Sequence, residues 1–327
     1  MKLICSIVLL FFLLKSANGQ ELYGKFLDHE QGLLSKECYD IICDKKGYLL
    51  ISTQYGPVKY DGEKCTPICL NLPIEERIIY DFEKSPDGII YMLNAKFQVL
   101  KLEGNKAIRI GPKKLPDTYH GLTKLHWTKS GLYIISTRTY LKYSFRSKKV
   151  NRFYHNFGPG NYTFKYVYDS GQEFPFIKYR HEHRFSHKKE VLIQFRESGQ
   201  HFYQTSKLSP VNREEQITVG ETTYMIINSE LFKKKGDLVS RMNLTGILFI
   251  ESFYNRIWLS GYDGLFELDL KGNILQHHFK GELVAGVAPL RSGGIAVSFN
   301  RKGVFICSNI HNRIYKNTSV SSVLRIP

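Results

Sequence analysis

The stretch Gly32–Gly62, GLLSKECYDIICDKKGYLLISTQYGPVKYDG, limits what this chain can fold into more than any other. It holds two short apolar runs, Tyr39–Cys43 and Tyr48–Thr53, separated by the turn residues Asp44-Lys45-Lys46-Gly47. A third run, Val58–Tyr60, follows the break at Tyr55-Gly56-Pro57. Runs of this length bounded by Gly, Asp and Pro read as an antiparallel meander. One such unit cannot bury both of its faces alone, so it must stack on copies of itself.

The copies are present. Gly47-Tyr48-Leu49-Leu50-Ile51-Ser52-Thr53 returns as Asp87-Gly88-Ile89-Ile90-Tyr91-Met92-Leu93 and as Ser130-Gly131-Leu132-Tyr133-Ile134-Ile135-Ser136-Thr137. It appears again as Arg256-Ile257-Trp258-Leu259-Ser260-Gly261 and as Gly294-Ile295-Ala296-Val297-Ser298-Phe299. Leu50, Tyr91 and Tyr133 are 41 and 42 residues apart, and Trp258 to Ala296 is 38. Between Tyr133 and Trp258 there is room for two more units. The candidates are Phe174–Tyr179 with Val191–Phe195, and Thr222–Ile227 with Leu231–Lys233. The count is seven units of roughly 40 residues, the period of a four-stranded propeller blade. The expected fold is therefore all-β, a seven-bladed β-propeller of four-stranded antiparallel blades.

Closure follows from the same physics. Each twisted sheet buries its faces against two neighbours, so inner strands should be apolar on both faces, as Leu49–Ile51, Tyr133–Ile135 and Ile257–Leu259 are. Gly56, Gly264 and Gly303, placed at the end of the third strand of the repeat, are expected in tight turns with positive φ. At the chain ends, Leu22–Leu27 and Asn312–Val320 have no blade of their own. Tyr23–Phe26 is expected to supply the outer strand of the last blade and so close the ring.

The first residues read as a leader. Met1-Lys2, the apolar run Leu3–Leu14 and Ala17-x-Gly19 form a signal peptide over 1–19 with cleavage before Gln20, leaving 20–327 as a single propeller domain. The apolar run is too short to span a membrane, which takes roughly 20 residues. The chain carries a formal charge of +16. Export argues against nucleic acid as a partner, and the bases are scattered: the short clusters Lys113-Lys114, Arg146–Lys149 and Lys233–Lys235 fall at expected turns. Five cysteines follow the leader, an odd number. Cys65 and Cys69 are the most plausible disulfide, and no zinc-ligand spacing is near them.

The repeat residues Gly32-Leu33-Leu34-Ser35, Asp44, Gly47, Leu49–Thr53, Gly56 and Tyr60-Asp61-Gly62 resemble the two-component regulator propeller repeat of Bacteroidota signalling proteins. Trp258 keeps the tryptophan of that pattern, where Leu50, Tyr91, Tyr133 and Ala296 replace it. The resemblance implies an extracytoplasmic sensor of oligosaccharides or other small ligands, working with a membrane histidine kinase or regulator encoded separately. This sequence carries no sandwich, membrane helix or kinase motif, which implies either a stand-alone exported propeller or the sensor end of a longer signalling gene.

No Gly-x-Ser-x-Gly elbow, phosphate-cradling loop or His-Glu-x-x-His occurs, so no catalytic residues and no cofactor are expected. His181, His183 and His187 cluster but lie among Arg180, Arg184, Lys188 and Lys189, which would repel a cation, so no metal is expected either. His277-His278 alternate faces on a strand. The candidate ligand contacts are loop aromatics able to stack on a sugar ring, Tyr55, Tyr119 and Tyr262, with the polar residues Gln54, Arg138 and Asn300 just past a strand end. Two rival readings stay open: an exported propeller enzyme acting on carbohydrate, a lyase or hydrolase, and a propeller that binds proteins or acidic glycans.

Overall fold

A computed structural model describes residues 20–111, 124–128, 131–135, 140–145, 149–153, 165–166, 176–177, 190–195, 199–204, 215–227, 229–236, 238–311 and 313–315. Within them the chain is all-β, apart from one 3-10 turn at Ile74–Glu76, and its sheets follow one another around a ring. The first blade is Cys38–Cys43, Leu49–Thr53, Gly56–Tyr60 and Cys65–Pro67, each strand antiparallel to the next. The second runs Ile79–Lys84, Ile90–Asn94, Val99–Glu103 and Lys106–Arg109, and Cys69–Leu70 adds in parallel on its outer edge. The third spans Lys124–Phe153.

Three more blades follow at Glu215–Thr245, Ile247–His278 and Val284–Cys307. We number these fifth, sixth and seventh, since the span 154–214 lies between them and the third blade. There the described residues form two antiparallel pairs, Lys165–Tyr166 with Phe176–Ile177 and Glu190–Phe195 with Gly199–Gln204. Innermost strands pack together from the first through the third blade and from the fifth through the seventh, and the seventh packs back on the first. Among the described residues no helix is long and apolar enough to cross a membrane.

The inter-blade core explains the repeat. Leu50, Tyr91, Tyr224, Trp258 and Ala296 hold one position on the second strand, and all are buried. Each packs into the following blade: Leu50 with Ile79 and Phe82, Tyr91 with Leu125 and Leu132, Trp258 with Val284 and Val297, Ala296 with Ile41 and Ile51. Burying one such side chain is worth roughly 1.5–3 kcal/mol, and a blade makes that contact on each side.

Closure uses both termini. Lys25–Leu27 pairs with Gly303–Cys307 as the outer strand of the seventh blade. The strand sits one to two residues later than the expected Tyr23–Phe26. Leu27, fully buried, anchors it, and Gly24 lies so close to Ile306 that a Cβ would strike the carbonyl oxygen at 2.2 Å. The C-terminal segment is not an orphan, because Arg313–Tyr315 pairs with Gln20–Leu22.

Three further expectations need correction. Gly56, Gly264 and Gly303 do have positive φ, at 117°, 93° and 82°, but each begins the third strand, at its hairpin with the second. Cys65 and Cys69 are free thiols. Cys65 is buried on the outer strand of the first blade, whereas Cys69 is exposed and already pairs with the second, so the two belong to different sheets. Lys233–Lys235 lie in a strand rather than a turn, with the Lys233 ammonium 5.7 Å from the Tyr224 ring centre. The 1–19 leader, His181, His183, His187, Lys113 and Lys114 lie outside the described residues.

Candidate functional site

The ring has two mouths, and one backbone hydrogen bond in each of the first, second, sixth and seventh blades defines the first. The residue just past the second strand donates its N–H to the residue just before the innermost strand. Gln54 bonds to Glu37 at 3.2 Å, Ala95 to Ile78 at 2.8 Å, Tyr262 to Gly246 at 2.9 Å and Asn300 to Leu283 at 3.3 Å. In these four blades the hairpin between second and third strands therefore lies beside the entry to the innermost strand. Four of the expected ligand contacts share this mouth, on three consecutive blades: Tyr262 on the sixth, Asn300 on the seventh, Gln54 and Tyr55 on the first. Tyr55 and Tyr262 are exposed, at 55% and 42%. Tyr119 and Arg138 lie outside the described residues. Thr53 fixes the first hairpin by donating to the Gly56 carbonyl at 2.7 Å and accepting from the Tyr55 N–H at 3.3 Å.

The second feature was not expected from the sequence. In the first, second, sixth and seventh blades the innermost strand bulges near its start, between Cys38 and Asp40, Ile79 and Asp81, Ile247 and Phe249, and Val284 and Gly286. The residue after the bulge projects toward the ring centre and the next blade. Asp40 accepts the Ile41 N–H at 2.8 Å and the Phe82 N–H of the second blade at 2.7 Å. Asp81 accepts the Leu125 N–H of the third at 2.7 Å, and Glu215 the Ile250 N–H of the sixth at 2.8 Å. Acidic side chains thus clasp one blade to the next through buried backbone donors, contacts worth more than neutral hydrogen bonds. Glu215 also pairs with the Lys124 ammonium.

Two residues further along lies a second tier: Ile42, Glu83, His126, Ile217, Glu251 and Ala288, each opposite the inter-blade core position of its own blade. Glu83 accepts the Trp127 N–H at 2.7 Å. Burial pushes its carboxyl up to about 8; Asp81 and Glu251 add to the rise, and Lys124 and the Trp127 N–H oppose it. Glu251 is exposed on its strand. Desolvation by the surrounding protein raises its carboxyl to about 7, with the Glu215 charge adding and Lys124 and Lys84 opposing. Burial, then Lys124, holds the His126 imidazole down to about 3, so it stays neutral.

These tiers border a cavity of about 310 Å³ in the half of the channel nearer the turns that join first and second strands. One wall is polar, with Asp40, Asp81, Glu83, Lys84, Glu215 and Glu251. The other is apolar, with Phe249, Phe253, Val287, Ala288 and Pro289. Among the described residues no group of three His, Cys, Asp or Glu side chains is arranged to hold a metal ion. A sequence signal for the clasps does exist. Cys38-Tyr39-Asp40-Ile41 and Ile79-Tyr80-Asp81-Phe82 are one repeat apart, and Tyr39 and Tyr80 meet edge to face at 5.9 Å.

No family model matches the chain, and no curated protein matches its sequence. Solved structures do match. The extracellular domain of the hybrid two component system BT3049 from B. thetaiotaomicron gives a TM-score of 0.57 at 13% identity, covering 87% of this chain and 42% of that one. The extracellular domain of the one component system BT4673 from the same organism gives 0.58 at 13% identity, covering 88% and 40%. Streptogramin B lyase gives 0.56 at 10% identity, covering 89% and 98%. The likeness is one of fold. This chain spans about two fifths of the length of the two extracellular domains it matches.

Proposed function

We propose that this chain is an exported, non-enzymatic ligand-sensing propeller whose ligand sits at the mouth formed by the second-to-third-strand hairpins. The observation that carries the reading is the grouping of Gln54, Tyr55, Tyr262 and Asn300 on three consecutive blades at one mouth, with both tyrosines exposed. Flat aromatic faces beside amide donors and acceptors suit a neutral oligosaccharide: the rings stack on C–H faces and the amides satisfy hydroxyls. That the extracellular domains of a two component and a one component system share the fold supports a role in signal transduction, with a membrane histidine kinase or regulator as partner.

A thermal-shift screen of the full chain against oligosaccharides tests this. A binder should raise the melting midpoint in a concentration-dependent way, by about 2.7 kcal/mol of stabilisation at a hundredfold excess over Kd. Tyr55→Ser with Tyr262→Ser should abolish the shift without unfolding the ring. Cleavage of a glycan during the screen would overturn the non-enzymatic assignment, and a shift that survives the double variant would remove the ligand from this mouth.

A further inference from the structure

The residue skipped by each bulge has no partner on the second strand. It is Tyr39 in the first blade, Tyr80 in the second, Leu248 in the sixth and Ala285 in the seventh. Leu248 and Ala285 are buried. The two tyrosines are not: Tyr80 is 40% exposed and Tyr39 half-buried, although both sit on innermost strands. Neighbouring blades cover such a strand on both faces and the second strand covers one edge. The solvent it meets therefore lies in the channel and at its mouths.

The two rings meet edge to face at 5.9 Å, with an interplanar angle of 81°. The Tyr39 hydroxyl donates to the Glu37 carboxylate at 3.3 Å. Burial, then the Glu37 charge, pushes the Tyr39 phenol up to about 12, so it keeps its proton at neutral pH. The Glu37 carbonyl accepts the Gln54 N–H, which ties the pair to the hairpin that carries Tyr55. At the next position along the innermost strands, the Lys124 ammonium of the third blade meets the Glu215 carboxylate of the fifth. An ion pair between blades that are not neighbours must cross part of the channel, so it narrows the passage beneath the tyrosines. Rim tyrosines alone could read any stretch of a glycan. A pair at the axis above a narrowed channel reads an end, because the chain cannot run on past it.

We propose that Tyr39 and Tyr80 form the inner subsite of the tyrosine mouth and take the terminal residue of a neutral oligosaccharide, so that the protein recognises chain ends rather than chain interiors. This rests on the ligand-sensing reading above, with Tyr55 and Tyr262 holding the residues that follow. The exposed ring faces suit the C–H face of a sugar, and the Glu37 carboxylate accepts its hydroxyls while repelling a uronate or a sulfate.

Calorimetry on the full chain tests the proposal with xylohexaose, maltohexaose and laminarihexaose, each beside its soluble polymer: xylan, amylose or laminarin. A hexaose that binds should saturate at about one protein per chain, and its polymer at the same count however long it is. Tyr39→Leu with Tyr80→Leu copies the residue the sixth blade already holds at this position. The ring should keep its circular dichroism spectrum, and the hexaose should bind about tenfold more weakly or worse. Tyr39→Phe keeps the ring and removes the hydroxyl, and should weaken binding by about threefold. Wild-type affinity in the double leucine variant, or several proteins bound per polymer chain, overturns the inner subsite and leaves the rim reading standing. Binding that survives Tyr55→Ser with Tyr262→Ser but is lost in the double leucine variant supports the inner subsite and overturns the rim contacts. No heat from any of the three hexaoses at about 10 mM overturns both.

Discussion

The channel carboxyls make the fold's stability depend on pH in an unusual sense. Glu83 has an ordinary value of 4.5 and is raised to about 8 in the folded protein. Between those values the folded chain holds a proton that the unfolded chain has lost. The stability this contributes is complete below 4.5 and disappears as pH rises through about 8. His126 runs the other way: its folded value near 3 lies below its ordinary 6.5, so its contribution is present above 6.5 and is lost as pH falls towards 3. From 6.5 to about 7.5 only the carboxyl effect remains. One proton of difference gives a slope of at most about 1.4 kcal/mol per pH unit, so Glu83 alone removes about 1 kcal/mol over that interval. Glu251 acts in the same direction, weakened by its exposure to solvent. For a chain of this size the total corresponds to about 2–4 °C in the melting midpoint. Thermal denaturation followed by circular dichroism at constant ionic strength should show the midpoint falling across that window, with the fall reduced in Glu83→Gln. A flat or rising wild-type midpoint, or an unchanged slope in the variant, would refute the assignment of Glu83 as the titrating group.

Other perturbations separate packing from polar effects. Trp258 is fully buried, stacks on Phe253 at 5.5 Å and leaves its indole N–H without a partner. Trp258→Ala should cost about 3–5 kcal/mol in urea denaturation, but Trp258→Phe should stay within about 1 kcal/mol of wild type, because losing volume is offset by removing a stranded donor. Asp40→Ala strands the Ile41 and Phe82 N–H groups and should cost about 2–4 kcal/mol, with Asp40→Asn, which keeps one acceptor oxygen, about half as damaging. Gly264→Ala should lower the midpoint well beyond Gly62→Ala: both sites have positive φ, but only at Gly264 would the Cβ meet a backbone oxygen, that of His278, at 2.3 Å.

The fold was legible because it is written several times. Leu50, Tyr91, Tyr133, Trp258 and Ala296 share a spacing and a buried strand, and the structure places the four besides Tyr133 against the next blade. The strand Thr222–Ile227 was found on the same grounds although its repeat is degenerate. Edges were less legible. Leu27, not Tyr23, is the buried residue of the closing strand, and three residues of strand carry too little pattern to show this. Proximity of Cys65 and Cys69 in sequence suggested a bond that the strand boundary between two sheets prevents. The tyrosine mouth could be read from hairpin position. The acidic channel could not, because Asp40, Lys124 and Glu215 become neighbours only when the ring closes.

Comparing equivalent positions within this one chain separates what the architecture requires from what it leaves free. The core position of the second strand is apolar or aromatic in every described blade, since either neighbour loses packing if it is not. The channel-facing position near the start of the innermost strand, two before the second tier, holds Asp40, Asp81, Lys124, Glu215, Phe249 and Gly286, so the ring accepts acid, base, aromatic and glycine there. Three of those acids repay their desolvation by binding backbone donors of the next blade. In the second tier the same place is filled by Ile42, Ile217 and Ala288 without harm, so no structural demand calls for a carboxyl. Glu83 holds the Trp127 N–H, whereas Glu251 is exposed and makes no hydrogen bond or ion pair among the described residues. Its replacement by glutamine should therefore leave the ring at least as stable as wild type near neutral pH, and a clear loss of stability in that variant would refute the view that the fold makes no demand for a carboxylate there.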